Sequence, residues 1–442
     1  MKSALLFPLI LALFTESTLL AETVADRKGA VLKDRAAMEN DARWIYNDFE
    51  RGFTEGKRTG KPVLIVLRCI PCLACAGIDA RVLLDKSDLD SLLDQFVCVR
   101  VINANALDLT RFQFDFDLSF STLVFNGDGT LYGRYGSWTH QKDPKENAID
   151  GFRKALESSL KLHKGYPANR SILAAKQGQS IPYKSPVEMP TIQGKYTRNL
   201  DWEGKVVQSC VHCHQIGDAL RISYRQSQQK IPSNLIYPFP EPESIGVTLF
   251  NDHAVRIKSV APGSTADKAG LKANDDLLTM AGQPLISSAD VSWVLHHTAD
   301  SADISLSLQR GAERINSRLT LPDGWRAASD ISRRVGTWQM RAMALGGLFL
   351  EELPEADRSS LGLKSDQLAL IAKHVGEYGE HATAKKAGYK KGDVIVEIAG
   401  ITSRQTEGQV IGHLLRRYNP GDKIQSRVLR NGQLVEMEFP IQ

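Results

Sequence analysis

The hydrophobic and polar positions of the chain follow patterns that change from one stretch to the next. An apolar run at 63–67 lies between Pro62 and Arg68, and it is long enough for a buried strand but too short to cross a membrane. Helical and alternating patterns continue beyond it, weaken in a proline-rich stretch, and return in two β-rich stretches. The predicted divisions are 42–163, a linker at 164–243, 244–325 and 340–442. This predicts a multidomain α+β protein, in keeping with a length of 442 residues.

The first stretch has the element order β-α-β followed by β-β-α. A helical pattern begins at Trp44, and a second one over 89–96 leads into an alternating strand over 97–102. Two short apolar runs then flank the turn Asn126-Gly127-Asp128-Gly129, which predicts a hairpin. An amphipathic helix over 149–162 closes the stretch.

The N-terminus has the composition of a secretory signal. Lys2 precedes an apolar segment over 4–14, and small and polar residues continue to Ala21. We expect cleavage after Ala21, with an uncleaved anchor as the alternative. The charged segment 22–41 is predicted to be a loose lead-in. The mature protein is therefore expected to be exported, periplasmic or otherwise extracytoplasmic, where disulfides persist.

Charge and cysteine content narrow the choice of function. The net charge is +4 with acids and bases nearly balanced, so nucleic acid is not an expected partner. The apolar segment over 4–14 is too short to span a bilayer and no other such run is present, so no membrane contact is expected beyond an uncleaved anchor. The six cysteines form a triplet, a pair and one separate residue, and this clustering indicates sites rather than a disulfide scaffold.

The triplet is Cys69, Cys72 and Cys75, and it follows the buried strand at the predicted start of a helix. A helix N-terminus favours thiolate over thiol, so this placement indicates redox chemistry. The alternatives are a structural disulfide and an inert metal clip. Cys98 lies in an alternating apolar run and is expected to be a buried strand thiol without chemistry.

Over 42–163 the sequence resembles the thioredoxin-like superfamily. Aligned on Lys61-Pro62, the resemblance implies that Cys72 attacks a substrate disulfide and Cys75 resolves the mixed disulfide. Cys69 would then tune the pair or relay a disulfide. The competing register pairs Cys69 with Cys72.

Two positions depart from that family. Pro71 replaces the aromatic residue that often precedes the motif, and Ser121 stands where a cis-proline is expected. Loss of that proline would alter the substrate-docking loop and could admit a metal or another ligand to the thiols.

The linker contains a second motif, Cys210-Val211-His212-Cys213-His214. Its Cys-x-x-Cys-His spacing resembles the attachment site of haem c, in which both thiols bind the porphyrin and the adjacent histidine ligates iron. The resemblance implies Cys210 and Cys213 as attachment sites and His214 as an axial metal ligand, with Met189 or His163 as guesses for the second ligand. A second redox dithiol and a Cys/His metal site are the alternatives.

The two C-terminal stretches resemble PDZ domains, and their repetition supports the prediction. PDZ domains add a peptide to an open strand edge and hold its terminal carboxylate on backbone N–H groups. The resemblance implies Ile245-Gly246-Val247 as the first carboxylate loop. The second is Leu345-Gly346-Gly347, with Leu361-Gly362-Leu363 as the alternative. Both grooves could instead be blocked packing surfaces.

The whole order resembles a bacterial family of exported thioredoxin-like/PDZ proteins, some of them selenoproteins. It implies a thiol–disulfide oxidoreductase that acts on protein thiols or disulfides, with PDZ units that recruit client peptides and a haem that carries electrons. The competing hypotheses are a non-enzymatic peptide-binding adaptor with structural or metal-binding cysteines, and a haem electron-transfer protein.

Overall fold

The computed structural model describes residues 16–70, 89–137, 149–178 and 181–442, with side chains from residue 27 onwards. Cys72 and Cys75 lie outside the described residues. The described helices are α1 Glu16–Met38, α2 Phe49–Thr59, α3 Asp90–Leu93, α4 Ile149–Lys164, α5 Arg170–Leu173, α6 Cys213–Gln226, α7 Ser233–Ile236, α8 Thr265–Lys268, α9 Ser288–His297, α10 Thr337–Leu345, α11 Glu355–Ser360, α12 Thr383–Lys386 and α13 Glu407–Arg417.

The strands are β1 Trp44–Tyr46, β2 Val63–Arg68, β3 Val97–Val101, β4 Phe120–Phe125, β5 Leu131–Tyr135, β6 Val247–Leu249, β7 Ile257–Val260, β8 Asp276–Met280, β9 Gln283–Pro284, β10 Ala302–Arg310, β11 Glu313–Leu321, β12 Leu348–Glu352, β13 Leu370–Val375, β14 Val394–Ile398, β15 Lys423–Arg430 and β16 Gln433–Pro440.

The first five strands form one mixed sheet in the order β1-β3-β2-β4-β5. β2 runs parallel to β3 and antiparallel to β4, which places it at the centre. All of its residues are buried, because apolar clusters cover both faces of the sheet. This is the thioredoxin-like topology that the sequence predicts, and it brings Cys69 to the carboxyl end of the central strand. The helix predicted to begin at Trp44 was wrong at its start, because Trp44–Tyr46 pair with β3 as an edge strand and the helix begins at Phe49.

The predicted loose lead-in is instead part of helix α1, and the prediction was wrong here. Val31 and Met38 are buried, so the helix has an apolar face that packs on the domain. Asp34 accepts a hydrogen bond at 2.5 Å from the fully buried guanidinium of Arg100 on β3. A buried cation is strongly destabilising without such a partner, so this ion pair holds the helix against the sheet. The expected cleavage point after Ala21 falls within α1.

The described helices include none that combines the length and the hydropathy needed to cross a bilayer.

The linker at 164–243 is packed rather than irregular throughout. It contains α5, α6 and α7, and its apolar side chains enter the core of the thioredoxin-like domain. Met189 and Ile216 are fully buried in the cluster that also contains Phe112 of that domain. The apolar residues of the linker are too sparse to form a periodic pattern, but Met189 and Ile216 both pack in the core.

Two β-rich units follow, and they share one internal arrangement. In the first, Arg310 Nε donates to Asp275 at 2.7 Å. In the second, Arg430 Nε donates to Asp393, also at 2.7 Å. Each arginine also donates to the carbonyl of a glycine that precedes the aspartate: Arg310 to Gly270, and Arg430 to Gly388. The matching contacts agree with the repeat that the sequence predicts.

The first unit packs directly on the edge strand β5. Asp290 of α9 is buried and accepts a hydrogen bond from the buried Lys176 ammonium at 2.7 Å. Arg134 of β5 lies over the ring of Trp293, with its guanidinium carbon 3.5 Å from the ring centroid. A side chain at Gly133 would collide with Ile286, since an added Cβ would lie 2.4 Å from its Cγ1 atom.

Candidate functional site

The site is built around Cys69, the residue that follows β2. Its backbone N–H donates to the Ser119 carbonyl at 2.9 Å, which holds the residue beside the start of β4. Its Sγ atom lies 3.4 Å from Nδ1 of His212. The Arg68 guanidinium donates to the Cys69 carbonyl oxygen, which places a buried positive charge beside the backbone of this residue. A histidine at a half-buried thiol is an arrangement that favours thiolate chemistry.

The linker brings two more thiols to the same place. Cys210 and Cys213 line a small cavity together with Cys69. Its volume is about 10 Å³, roughly the room for one water molecule. The other lining residues are Leu67, Arg68, Val101, Ile102, Ala104 and Val211. Cys69, the described member of the triplet, therefore shares one site with the pair that the sequence places in the linker.

A single buried amide fixes the linker in this position. Asn105 has no exposed surface, and its Nδ2 donates to the carbonyls of Thr197 and Ser209 at 2.7 and 2.8 Å. Its Oδ1 accepts from the Val211 N–H at 2.7 Å. These bonds satisfy backbone groups that would otherwise be buried without partners. They also set the direction in which Cys210 and Cys213 enter the site.

Burial shifts the pKa values of the linker thiols and of His212 in opposite directions. Burial raises the pKa of Cys210 to about 12. Burial, with the nearby sulfurs of Cys69 and Cys210, raises the pKa of Cys213 well above its usual range. Burial and the adjacent His214 lower the pKa of His212, so its imidazole is neutral at pH 7 and can accept a proton.

The described residues do not fit a haem at the linker motif. The two cysteines line a cavity that holds about one water, far less than the volume of a porphyrin. His214 turns away towards Asp218, with Nδ1 3.4 Å from Oδ2. His163 is held by the Tyr132 hydroxyl and the Gly60 carbonyl, and Met189 is buried in the core.

Cys98, Ser121 and a possible metal site are the remaining features that the sequence analysis singles out near the thiols. Cys98 is buried in β3 as predicted, and burial raises its pKa to about 12. Ser121 is buried in β4, paired with Leu67. In the part of the chain that the structure describes, no three histidine, cysteine or acidic side chains are arranged to hold a metal ion.

His212 is the functional residue that sequence reasoning missed. It lies inside the Cys-x-x-Cys-His motif, where attention falls on His214 as the haem ligand. The signal would have been the contact with Cys69, but the two residues are 143 positions apart in the chain. Only the fold brings them together.

The predicted first carboxylate loop precedes β6. Gly246 has φ +86°, and a Cβ there would lie 2.2 Å from Cβ of Ser264, so only glycine fits. A cavity of about 170 Å³ lies beside Thr248 and Leu249 and extends to Ser288 at the start of α9. Tyr135 of the thioredoxin-like domain contributes to its wall.

The second loop differs from the first. Leu345-Gly346-Gly347 immediately precedes β12, whereas Leu361-Gly362-Leu363 follows α11, so the former occupies the position equivalent to the first loop. The Leu350 N–H of β12 donates to the Glu407 carboxylate at 2.7 Å. Arg341 of α10 pairs with the same carboxylate at 2.6 Å. Part of the edge that a peptide would use is therefore bound to the chain's own side chain.

Comparisons with known proteins agree with this architecture. Residues 44–127 match the family described as thioredoxin-like, and residues 243–321 match the family described as PDZ domain. Two curated relatives are both named probable periplasmic serine endoprotease DegP-like. The protein from Pseudomonas savastanoi pv. phaseolicola is 28% identical over 191 residues, covering 42% of this chain and 37% of the relative. The protein from Halomonas elongata is 28% identical over 182 residues, covering 40% of this chain and 35% of the relative.

The chain thus spans little more than a third of the length of these relatives. Among solved structures, a variant of the HtrA-type protease AlgW with a decapeptide has 17% identity and a TM-score of 0.22 over 42% of this chain and 53% of that chain. AlgW with a tripeptide has 20% identity and a TM-score of 0.19 over 31% and 52%.

The fold and the family matches define a class of modular protein in which a thioredoxin-like domain precedes a PDZ domain. This chain contains a thioredoxin-like domain at 44–127 and a PDZ domain at 243–321, as the sequence predicts.

Proposed function

We propose that the protein is an exported thiol–disulfide oxidoreductase whose first PDZ domain recruits client peptides. The observation that carries the proposal is the placement of Cys69 at the end of β2, with its Sγ atom 3.4 Å from the neutral imidazole of His212. Neutral imidazole can take the thiol proton, and the thiolate is the form that attacks disulfides. The periplasmic relatives support export.

The roles of the triplet follow from the thioredoxin-like resemblance. Cys72 attacks the client disulfide, Cys75 resolves the mixed disulfide, and Cys69 relays oxidising equivalents towards the linker. Cys72 and Cys75 are assigned from the sequence alone. Cys69 supplies the structural support, because it follows the central strand and its Sγ atom lies close to a histidine ring.

Peptide recruitment rests on the first PDZ domain. The cavity beside β6 gives an extended peptide access to this strand, and the Gly246 turn is the predicted carboxylate loop. A captured client raises the local concentration of its disulfides near the thiols without new chemistry.

The proposal is tested by disulfide exchange of the full chain with a fluorescent peptide disulfide. We expect exchange much faster than that of glutathione at equal thiol concentration, and at least a tenfold loss in Cys72→Ala. Cys98→Ala is the matched control and should exchange at the wild-type rate, since Cys98 is buried away from the cluster. Wild-type exchange no faster than glutathione would leave the adaptor hypothesis, in which the thiols only stabilise the fold.

A further inference from the structure

The CxxCH motif in the linker has a use that neither the haem resemblance nor the family matches assign. We propose that Cys210 and Cys213 are an internal dithiol that takes up the disulfide delivered to Cys69, so that oxidation passes within the chain from the thioredoxin-like domain to the linker. This inference rests on the proposed function, because Cys69 must first receive a disulfide.

Proximity is the first argument. The three cysteines line one cavity of about 10 Å³, and Cys69 is near enough to act electrostatically on both linker thiols. Asn105 holds the linker there through three hydrogen bonds between its side chain and the linker backbone. The position of the linker cysteines beside Cys69 is therefore fixed by specific hydrogen bonds.

The order of attack follows from exposure. Cys213 lies at the first position of α6 and is partly exposed as a residue although its thiol is buried, whereas Cys210 is buried as a whole. Cys213 is thus the linker thiol that can reach a sulfur bound to Cys69, and Cys210 is placed to resolve the product. The Cys-x-x-Cys spacing allows a disulfide between them, as in other redox-active dithiols.

The exchange is balanced in atoms and electrons. Cys69 thiolate attacks a disulfide R–S–S–R′, either the one that the proposed reaction with a client leaves between Cys72 and Cys75 or an added glutathione disulfide, and forms Cys69–S–S–R with release of R′–S⁻. Cys213 attacks the Cys69 sulfur, which releases R–S⁻ and forms the Cys69–Cys213 disulfide. Cys210 then attacks Cys213 and releases Cys69. One disulfide has been reduced to two thiols, and the linker dithiol has lost two electrons and two protons.

The chemistry of the linker thiols sets the direction. Thiols whose pKa is raised gain little from ionisation, so their reduced form is not stabilised and their disulfide is favoured. The imidazole of His212 is neutral and can carry protons between Cys69 and solvent. The linker pair is accordingly expected to act as reductant towards Cys69.

The test uses the reduced full chain and glutathione disulfide as the probe. Samples are quenched with acid at intervals and alkylated, and disulfides are mapped by peptide mass spectrometry. In wild type we expect the Cys210–Cys213 disulfide to accumulate. In Cys69→Ala it should form at least tenfold more slowly, and in Cys210→Ala a Cys69–Cys213 cross-link should be trapped. Cys98→Ala should match wild type, and circular dichroism checks that each variant folds.

The inference is overturned if the linker pair oxidises at the wild-type rate in Cys69→Ala, or if it stays reduced in wild type while disulfide exchange proceeds. It is equally overturned if protein from a haem-attaching host shows a Soret band, with Cys210 and Cys213 closed to alkylation. Failure of the proposed function looks different, since wild type would then show no catalysed exchange with any cysteine. Wild-type mapping needs no substitution, so it decides the matter even if a variant fails to fold.

Discussion

At the scale of single residues, the structure changes which side chains matter. The cysteines could be found from the sequence, because their spacing is itself the signal. His212 could not, since its importance comes from a contact with Cys69 across 143 positions. The same limit applies to Asn105, a buried amide that looks like any other polar residue in the sequence. Residue types reveal chemistry, but long-range contacts decide which of them share a site.

His212 gives the prediction that belongs to this scale. The replacement His212→Gln removes the proton acceptor, and we expect disulfide exchange at pH 7 to slow by about a hundredfold. Burial keeps the folded-state pKa of His212 below 6.5, so the base form persists and the wild-type rate should decline only below that pH. In the variant, the rate should instead rise with pH as the thiol itself ionises. The measurement is a pH–rate profile.

The control is His413→Gln, which changes a histidine on α13, away from the thiols. Unchanged rate and profile in His212→Gln would show that the imidazole is not the base.

At the scale of elements, strands and helices with a strong period were predictable, and weakly patterned segments were not. β2 was evident from five consecutive apolar residues, and the hairpin between β4 and β5 from its turn residues. The helix α1 was missed because its contacts with the domain, such as the ion pair between Asp34 and Arg100, join residues that are distant in the chain. The difference between the two PDZ-like grooves was equally hidden, since the Glu407 carboxylate that occupies the β12 edge belongs to a distant helix.

This difference predicts that peptides bind at β6. Ser288 opens α9 as Glu407 opens α13, so Ser288→Glu places a carboxylate at the mouth of the first groove. We expect the affinity for a peptide with a free C-terminal carboxylate to fall at least about tenfold, through occlusion and repulsion of like charges. The measurement is fluorescence anisotropy with the full chain.

Ser301→Glu makes the same change at an exposed position and should leave the affinity as it is. Equal affinity for wild type and Ser288→Glu would move the peptide site away from β6.

At the scale of the whole molecule, buried ion pairs join units that the sequence presents as separate. Lys176 of the linker and Asp290 of the first PDZ domain are both buried and paired. Arg334, which follows that domain, pairs with Asp115 and Asp117 of the thioredoxin-like domain at 2.5 and 2.9 Å. Domain order was predictable because each domain has its own pattern. Docking was not, because a charged residue shows no sign in sequence that its partner lies in another domain.

The prediction at this scale concerns Asp290. Asp290→Asn removes a charge that neutralises Lys176, and loss of one partner of a buried pair costs about 3–5 kcal/mol. We expect the first PDZ domain to open more readily by that amount. Hydrogen exchange of the β10 amides reports this opening directly, which suits a chain of several domains.

Asp303→Asn is the control, because this carboxylate is exposed and its ion pair with Arg318 should contribute no more than about 1 kcal/mol. Similar exchange in both variants would mean that the buried pair does not hold the domains together.

Helix α6 connects two distant parts of the molecule. It begins at Cys213, in the sulfur cluster, and near its other end Arg225 donates to the carbonyls of Tyr418 and Gln442 beside the second β-rich unit. Its 14 residues form a helix about 21 Å long that is held by contacts at both ends. A change of bonding at Cys213 that shifted the first turn would therefore act on the second β-rich unit, which gives the oxidation state of the linker a mechanical route to a module that contains no cysteine.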